Sequence, residues 1–163
     1  TMGHTWATAL LFGGLEVYVY EASTDMAKTN EGRVKGYIER AAKKGKLEGT
    51  VDEVMGRLHI LESETALAEC GAPMLLEVIF EDMNLKLEVF ERLGKLMPKE
   101  MMFWTNTSCL NIDKMAAISG RPEKFIGTHG MNPVHLMKGV EIVRHETLDK
   151  EVLDFTMEMM RRI

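Results

Sequence analysis

His129 closes a β-rich segment, Phe125–His129, and is followed by Asn132-Pro133 and, twelve residues on, by Glu141. Histidine is the one side chain whose unperturbed pKa suits proton transfer near neutrality, and a carboxylate partner can fix its tautomer and stabilise the imidazolium. A second β-rich segment, Met101–Thr105, runs into Asn106-Thr107-Ser108. Ser108 and Asn132 are short hydrogen-bonding residues able to orient a hydroxyl or a carbonyl. If both segments are strands of one parallel sheet, all these groups meet in the crevice at its carboxyl edge, where ligands bind. His4, His59, His135 and His145 have no comparable company and read as structural.

A second group stands at the start of the chain. Thr1-Met2-Gly3 precedes a short apolar stripe, Ala7, Leu10 and Leu11, and Gly13-Gly14 then supply a left-handed stop. The strand-like run Leu15–Tyr20 follows and ends at Glu21, eighteen residues beyond Gly3. Dinucleotide-binding folds place an acid about 20 residues past their glycine-rich turn, where it accepts hydrogen bonds from ribose hydroxyls. The first two glycines of that turn are not in this chain, and a solvated carboxylate at a strand end is the alternative for Glu21.

Short β-rich runs alternate with helical periods, the signature of βαβ units and a parallel sheet. Leu15–Tyr20, Leu58–Leu61, Met74–Ile79, Met101–Thr105, Phe125–His129 and Gly139–Arg144 are the predicted strands. Leu85, Val89, Leu93 and Leu96 mark one face of a helix that begins after Asp82 and is stopped by Pro98, and Leu148, Val152, Phe155 and Met159 mark another at the C-terminus. The stretch Thr24–Glu53 is helical but charged, with a weak apolar period, and is expected to project partly from the sheet. Because the chain opens on a helix where a doubly wound sheet opens on a strand, either the fold differs or its first strand is absent.

With 163 residues, 45% hydrophobic and 28% charged, the chain suits one globular domain and argues against disorder and low-complexity polymers. A net charge of -5 argues against a general nucleic-acid or anionic-membrane surface. The apolar run Ala7–Phe12 is far short of a membrane span. Cys70 and Cys109 are too few for a disulfide scaffold and lack metal-ligand spacing, so no metal is expected, and nothing points to secretion.

The stretches MLLEVIFEDMNLKLEVF (Met74–Phe90), TNTSCLNI (Thr105–Ile112) and RPEKFIGTHGMNPVHLMKGVEIVR (Arg121–Arg144) resemble the NAD-binding domain of the L-3-hydroxyacyl-CoA dehydrogenases. The resemblance runs the whole length, from a TMG similar to the end of that family's GAGTMG turn to the helix after Arg144, and VHLM is similar to its multifunctional branch. It implies an α/β fold of Rossmann type: a doubly wound, mostly parallel sheet, here lacking its first strand, in a single domain over residues 1–163. It also implies NAD-dependent oxidation of a 3-hydroxyacyl-CoA to the 3-ketoacyl-CoA, as in fatty-acid β-oxidation, in the cytoplasm or an organellar matrix. By the same resemblance His129 is the general base, Glu141 its orienting partner, and Ser108 and Asn132 lie near the substrate oxygen and the nicotinamide. Gly3 belongs to the cofactor turn, Glu21 is the adenosine-ribose acid, and Glu81 and Lys86 match an E-x-x-x-x-K motif beside the nicotinamide ribose. Lys43 and Lys44, with Lys46, would meet coenzyme A phosphates, with a solvated charged face as the alternative. Homodimerisation through a helical C-terminal domain not in this chain is implied as well.

The chain departs from the family pattern in three places. Gly130-Met131 follow His129 where the family has two aromatics, so looser packing is expected beside the base. Thr5 and Trp6 replace small or aliphatic residues where a close helix-to-strand approach is wanted. A polypeptide that starts at Thr1 is expected to leave two strand edges open, to fold poorly or associate through them, and to bind NADH weakly. A dehydrogenase of a non-CoA hydroxy acid and a non-catalytic dinucleotide-binding domain remain alternative readings.

Overall fold

Six short, mostly apolar runs form strands, and those rich in β-branched or aromatic residues, such as Val17–Tyr20 and Val140–Val143, do so because such side chains pack well on a pleated surface. The computed structural model describes residues 2–137 and 139–163, so Thr1, the first residue of the Thr-Met-Gly turn, lies outside the described residues. In chain order the elements are α1 (Gly3–Phe12), β1 (Val17–Tyr20), α2 (Thr24–Lys43), α3 (Val51–Met55), β2 (Leu58–Leu61), α4 (Glu64–Glu69), β3 (Met74–Glu77), α5 (Met83–Leu96), β4 (Met102–Thr105) and α6 (Ile112–Ile118). A 3-10 turn, Pro122–Lys124, leads into β5 (Phe125–Gly130), α7 (Val134–Met137), β6 (Val140–Val143) and α8 (Lys150–Arg162).

The strands form two sheets. β1 and β2 pair in parallel, while β3, β4 and β5 run parallel in a four-stranded sheet closed by an antiparallel β6. Among the described residues no strand pairs with the second edge of β1 or of β3. The predicted doubly wound α/β pattern is therefore present, and it is interrupted where a first strand would lie.

Helix α1 bridges the interruption. Leu10 and Leu11 pack with Val17 in one apolar cluster, while Trp6 and Ala9 pack with Leu76 and Val78 in another. Every residue from Thr5 to Leu11 is buried, so the expected single stripe is instead a helix covered nearly all round. The reason is α2. Its Ala27, Val34 and Ile38 are buried, the last two against α1, so this charged helix packs on the protein and does not project from it as far as Lys43. Beyond Lys43 an exposed turn through Gly45 and Gly49 separates it from α3.

The expected face of α5 is also shifted. Its buried residues are Lys86, Phe90 and Leu93, continued by Met97, whereas Leu85 and Leu96 lie more than a third exposed. Asp82 caps this helix through Leu85 N–H at 2.8 Å. At its other end the buried Arg121 guanidinium donates to the carbonyls of Gly94, Met97, Pro98 and Met101 and lies 4.5 Å over the Phe103 ring. That clamp ties the end of α5 to the 3-10 turn before β5.

Candidate active site

The antiparallel pairing of β5 with β6 makes His129 and Glu141 direct partners. Facing residues on one side of such a pair have Cβ atoms about 5 Å apart, within reach of an imidazole and a carboxylate. His129 Nδ1 lies 2.8 Å from Glu141 Oε2, with the histidine side chain 24% exposed and the glutamate 62%. A carboxylate can only accept, so Nδ1 carries the hydrogen and the Nε2 lone pair is left available.

A second cluster forms at the carboxyl ends of β3 and β4. Glu81, just past β3, accepts from Thr107 Oγ1 at 2.6 Å and from both the N–H and the hydroxyl of Ser108, at 2.8 and 3.2 Å. Burial pushes the Glu81 carboxyl up, but the hydrogen bonds from Thr107 and Ser108, with the charge of Lys86, outweigh it and hold its pKa below the usual value. Lys86 Nζ is 3.5 Å from Glu81 Oε2 and only 2.6 Å from Glu77 Oε1, on a side chain that is almost wholly buried. Glu77 also accepts from Thr105 Oγ1 at 2.6 Å and from Ile79 N–H at 2.7 Å.

Asn106 joins the two clusters. Its Oδ1 accepts from Gly130 N–H, the amide next to His129, at 3.0 Å, and from Trp6 Nε1 at 2.7 Å. The Trp6 ring and Val134 together occupy the space a side chain at Gly130 would need, since a Cβ there would meet them at 2.8 and 2.7 Å. The loss of packing expected from Gly130 is therefore made good by Trp6, and the two departures from the family pattern compensate each other. Asn132 is exposed in the loop beyond β5.

The other end of the crevice suits a dinucleotide. The first turn of α1 has no side-chain cap and no acidic residue, and a Cβ on Gly3 would meet nothing within 4 Å. An open helix N-terminus of this kind favours a phosphate. Glu21, past the end of β1, spends one oxygen on Ser23 N–H at 3.2 Å. Lys43 and Lys44, in contrast, stand exposed at the C-terminal end of α2, and the structure brings neither to the His129 or Glu81 cluster.

Sequence reasoning missed Glu77, Thr107 and the joint role of Asn106 and Trp6. A glutamate inside the apolar run MLLEVIF was the available signal, because a buried carboxylate demands partners. Among the described residues no group of three or more His, Cys, Asp or Glu could hold a metal, and no helix is long and apolar enough to cross a membrane.

Comparison with known proteins places this site in a family context. Residues 1–163 match the model of the 3-hydroxyacyl-CoA dehydrogenase NAD binding domain. A probable 3-hydroxybutyryl-CoA dehydrogenase of Deinococcus radiodurans is 33% identical over 150 residues, which are 91% of this chain and 53% of that protein. A peroxisomal bifunctional enzyme of Cavia porcellus is 28% identical over 163 residues, 100% of this chain and 22% of its own length. The solved structure of 3-hydroxybutyryl-CoA dehydrogenase from Escherichia coli K12 superposes with a TM-score of 0.92 at 28% identity, covering 99% of this chain and 34% of that one. The chain thus spans about half the length, or less, of these relatives.

Proposed function

The chain belongs to the 3-hydroxyacyl-CoA dehydrogenase family, whose NAD-binding domain it matches throughout, and from that premise we propose that it serves the NAD-dependent oxidation of an L-3-hydroxyacyl-CoA to the 3-ketoacyl-CoA. The observation that carries this reading is the His129–Glu141 pair at the end of β5. With Nδ1–H donated to Glu141, His129 takes the proton of the 3-hydroxyl on Nε2, and the carboxylate stabilises the imidazolium that results. NAD⁺, when bound, would supply the acceptor for the hydride that leaves the carbon bearing this hydroxyl. Ser108, fixed by Glu81, and Asn132 orient the substrate oxygen. Glu21 accepts hydrogen bonds from the adenosine ribose, Gly3 and the open end of α1 receive the pyrophosphate, and Glu81 borders the nicotinamide ribose. Lys86, its ammonium engaged by Glu77, acts there by holding Glu81. Lys43 and Lys44 offer cations to the phosphates of coenzyme A. The complete enzyme works as a homodimer in the cytoplasm or an organellar matrix, in fatty-acid β-oxidation.

The test is substrate choice. The protein should oxidise NADH with acetoacetyl-CoA far faster than with free acetoacetate. Comparable rates would point to a non-CoA hydroxy acid, and NADH binding without turnover of either would mean a non-catalytic domain.

A further inference from the structure

Trp6 lies two turns from the end of α1 and takes no part in the chemistry above, yet it is 1% exposed and its only polar atom is committed. Its Nε1 donates to Asn106 Oδ1 at 2.7 Å, the same oxygen that accepts from Gly130 N–H at 3.0 Å. The backbone N–H of Asn106 in turn donates to the Glu77 carbonyl at 3.0 Å, so the residue is anchored to β3 as well. One amide oxygen thus ties α1 to the peptide that joins His129 to Gly130. The ring adds a steric constraint, shared with Val134: a Cβ at Gly130 would sit 2.8 Å from Trp6 Cζ2, 3.0 Å from Cε2 and 2.7 Å from Val134 Cγ2.

We infer that Trp6 is a positioning residue for the base, setting through Asn106 and Gly130 where His129 stands relative to α1, the helix assigned to the cofactor pyrophosphate. The inference rests on the proposed dehydrogenase reading for its kinetic consequence. The Glu141 contact comes from β6 and sets the tautomer, so the two supports are separate: Glu141 orients the ring and Trp6 fixes the strand end that carries it. Without the indole N–H, the Asn106 amide loses one of two donors and can turn away from Gly130. A displacement of the base by about 1 Å costs up to about a hundredfold in rate without touching binding.

The experiment combines kinetics with amide hydrogen exchange on Trp6→Phe and Asn106→Ala. Each variant should lower kcat for acetoacetyl-CoA about tenfold with KM and the NADH Kd held within about twofold. Each should also raise the exchange rate of the Gly130 amide about tenfold, with the Phe103 and Ile126 amides of the same sheet unchanged. Asn106→Ala removes the acceptor of Gly130 N–H itself and so marks the full loss against which Trp6→Phe is read, and Trp6→Leu, also without the indole N–H, takes its place if Trp6→Phe does not fold. Gly130→Ala should be costly in the native background and less so beside Trp6→Phe, where the ring contact is relieved and the 2.7 Å approach of Val134 Cγ2 remains. Exchange that rises equally at all three amides, or a selective rise at Gly130 with unchanged kcat, would overturn the inference. If the native protein fails to reduce acetoacetyl-CoA the proposed function falls, and selective exchange at Gly130 still decides whether Trp6 fixes this strand end.

Discussion

Lys86 and Glu77, nine residues apart, form an ion pair with Nζ 2.6 Å from Oε1 and side chains 1% and 2% exposed. The pair lies beneath Glu81 and Ser108 and joins α5 to β3. Two charges removed from water in this way are tolerable only with further hydrogen bonds, which Thr105 and Ile79 supply to Glu77. Removing one partner strands the other. Glu77→Gln should therefore lower the unfolding free energy by about 3–5 kcal/mol, and Glu77→Leu with Lys86→Met should recover much of the loss. Urea melts measure both, and a single-variant loss below about 1 kcal/mol would refute a structural role for the pair.

Acid sensitivity is expected from a different cluster. The rings of His4 and His135 lie on Tyr37 at 5.8 and 4.4 Å, and each Nδ1 is buried without a partner among the described residues. Burial, then Arg33, lowers the pKa of His4; burial, then Arg40, lowers that of His135. With folded values below the ordinary 6.5, the unfolded chain takes up protons first as the pH falls. Stability from these two groups is complete above the unfolded value and declines as the pH drops from there to the folded one. Urea midpoints at about pH 7.5 and about pH 5.5 should differ, and His4→Gln with His135→Gln should shrink the difference. An unchanged difference would contradict this.

Cofactor choice follows from Glu21. A carboxylate in the role proposed for Glu21 would accept from ribose hydroxyls and repel a 2′-phosphate, so NADH should bind at least about tenfold more tightly than NADPH in a fluorescence titration. Glu21→Ser should narrow the gap. Equal affinities in the native protein would remove Glu21 from the cofactor site.

All six strands were legible because their β-rich runs are short and bounded by helical periods, and the His129 and Ser108 segments declared themselves by residue type. The buried face of α5 was not legible. Counting apolar residues selects Leu85 and Leu96, whereas Lys86 is the residue drawn inward, by a carboxylate on a strand that the count cannot see. The Asn106 linkage was hidden for a similar reason: Trp6 and Gly130 are 124 residues apart and compensate each other only in three dimensions. α2 looked solvated because its three buried positions are diluted among charges.

If His129 is the base and Glu141 the group that orients it, a double-mutant cycle on kcat reads the two as one unit. His129→Gln should lower kcat for acetoacetyl-CoA by about a hundredfold or more with NADH affinity nearly unchanged, and Glu141→Gln should be damaging but less than additive with it, because the two act as a unit. Near-normal turnover by the His129→Gln protein, or fully additive losses in the double variant, would take these roles from the two residues.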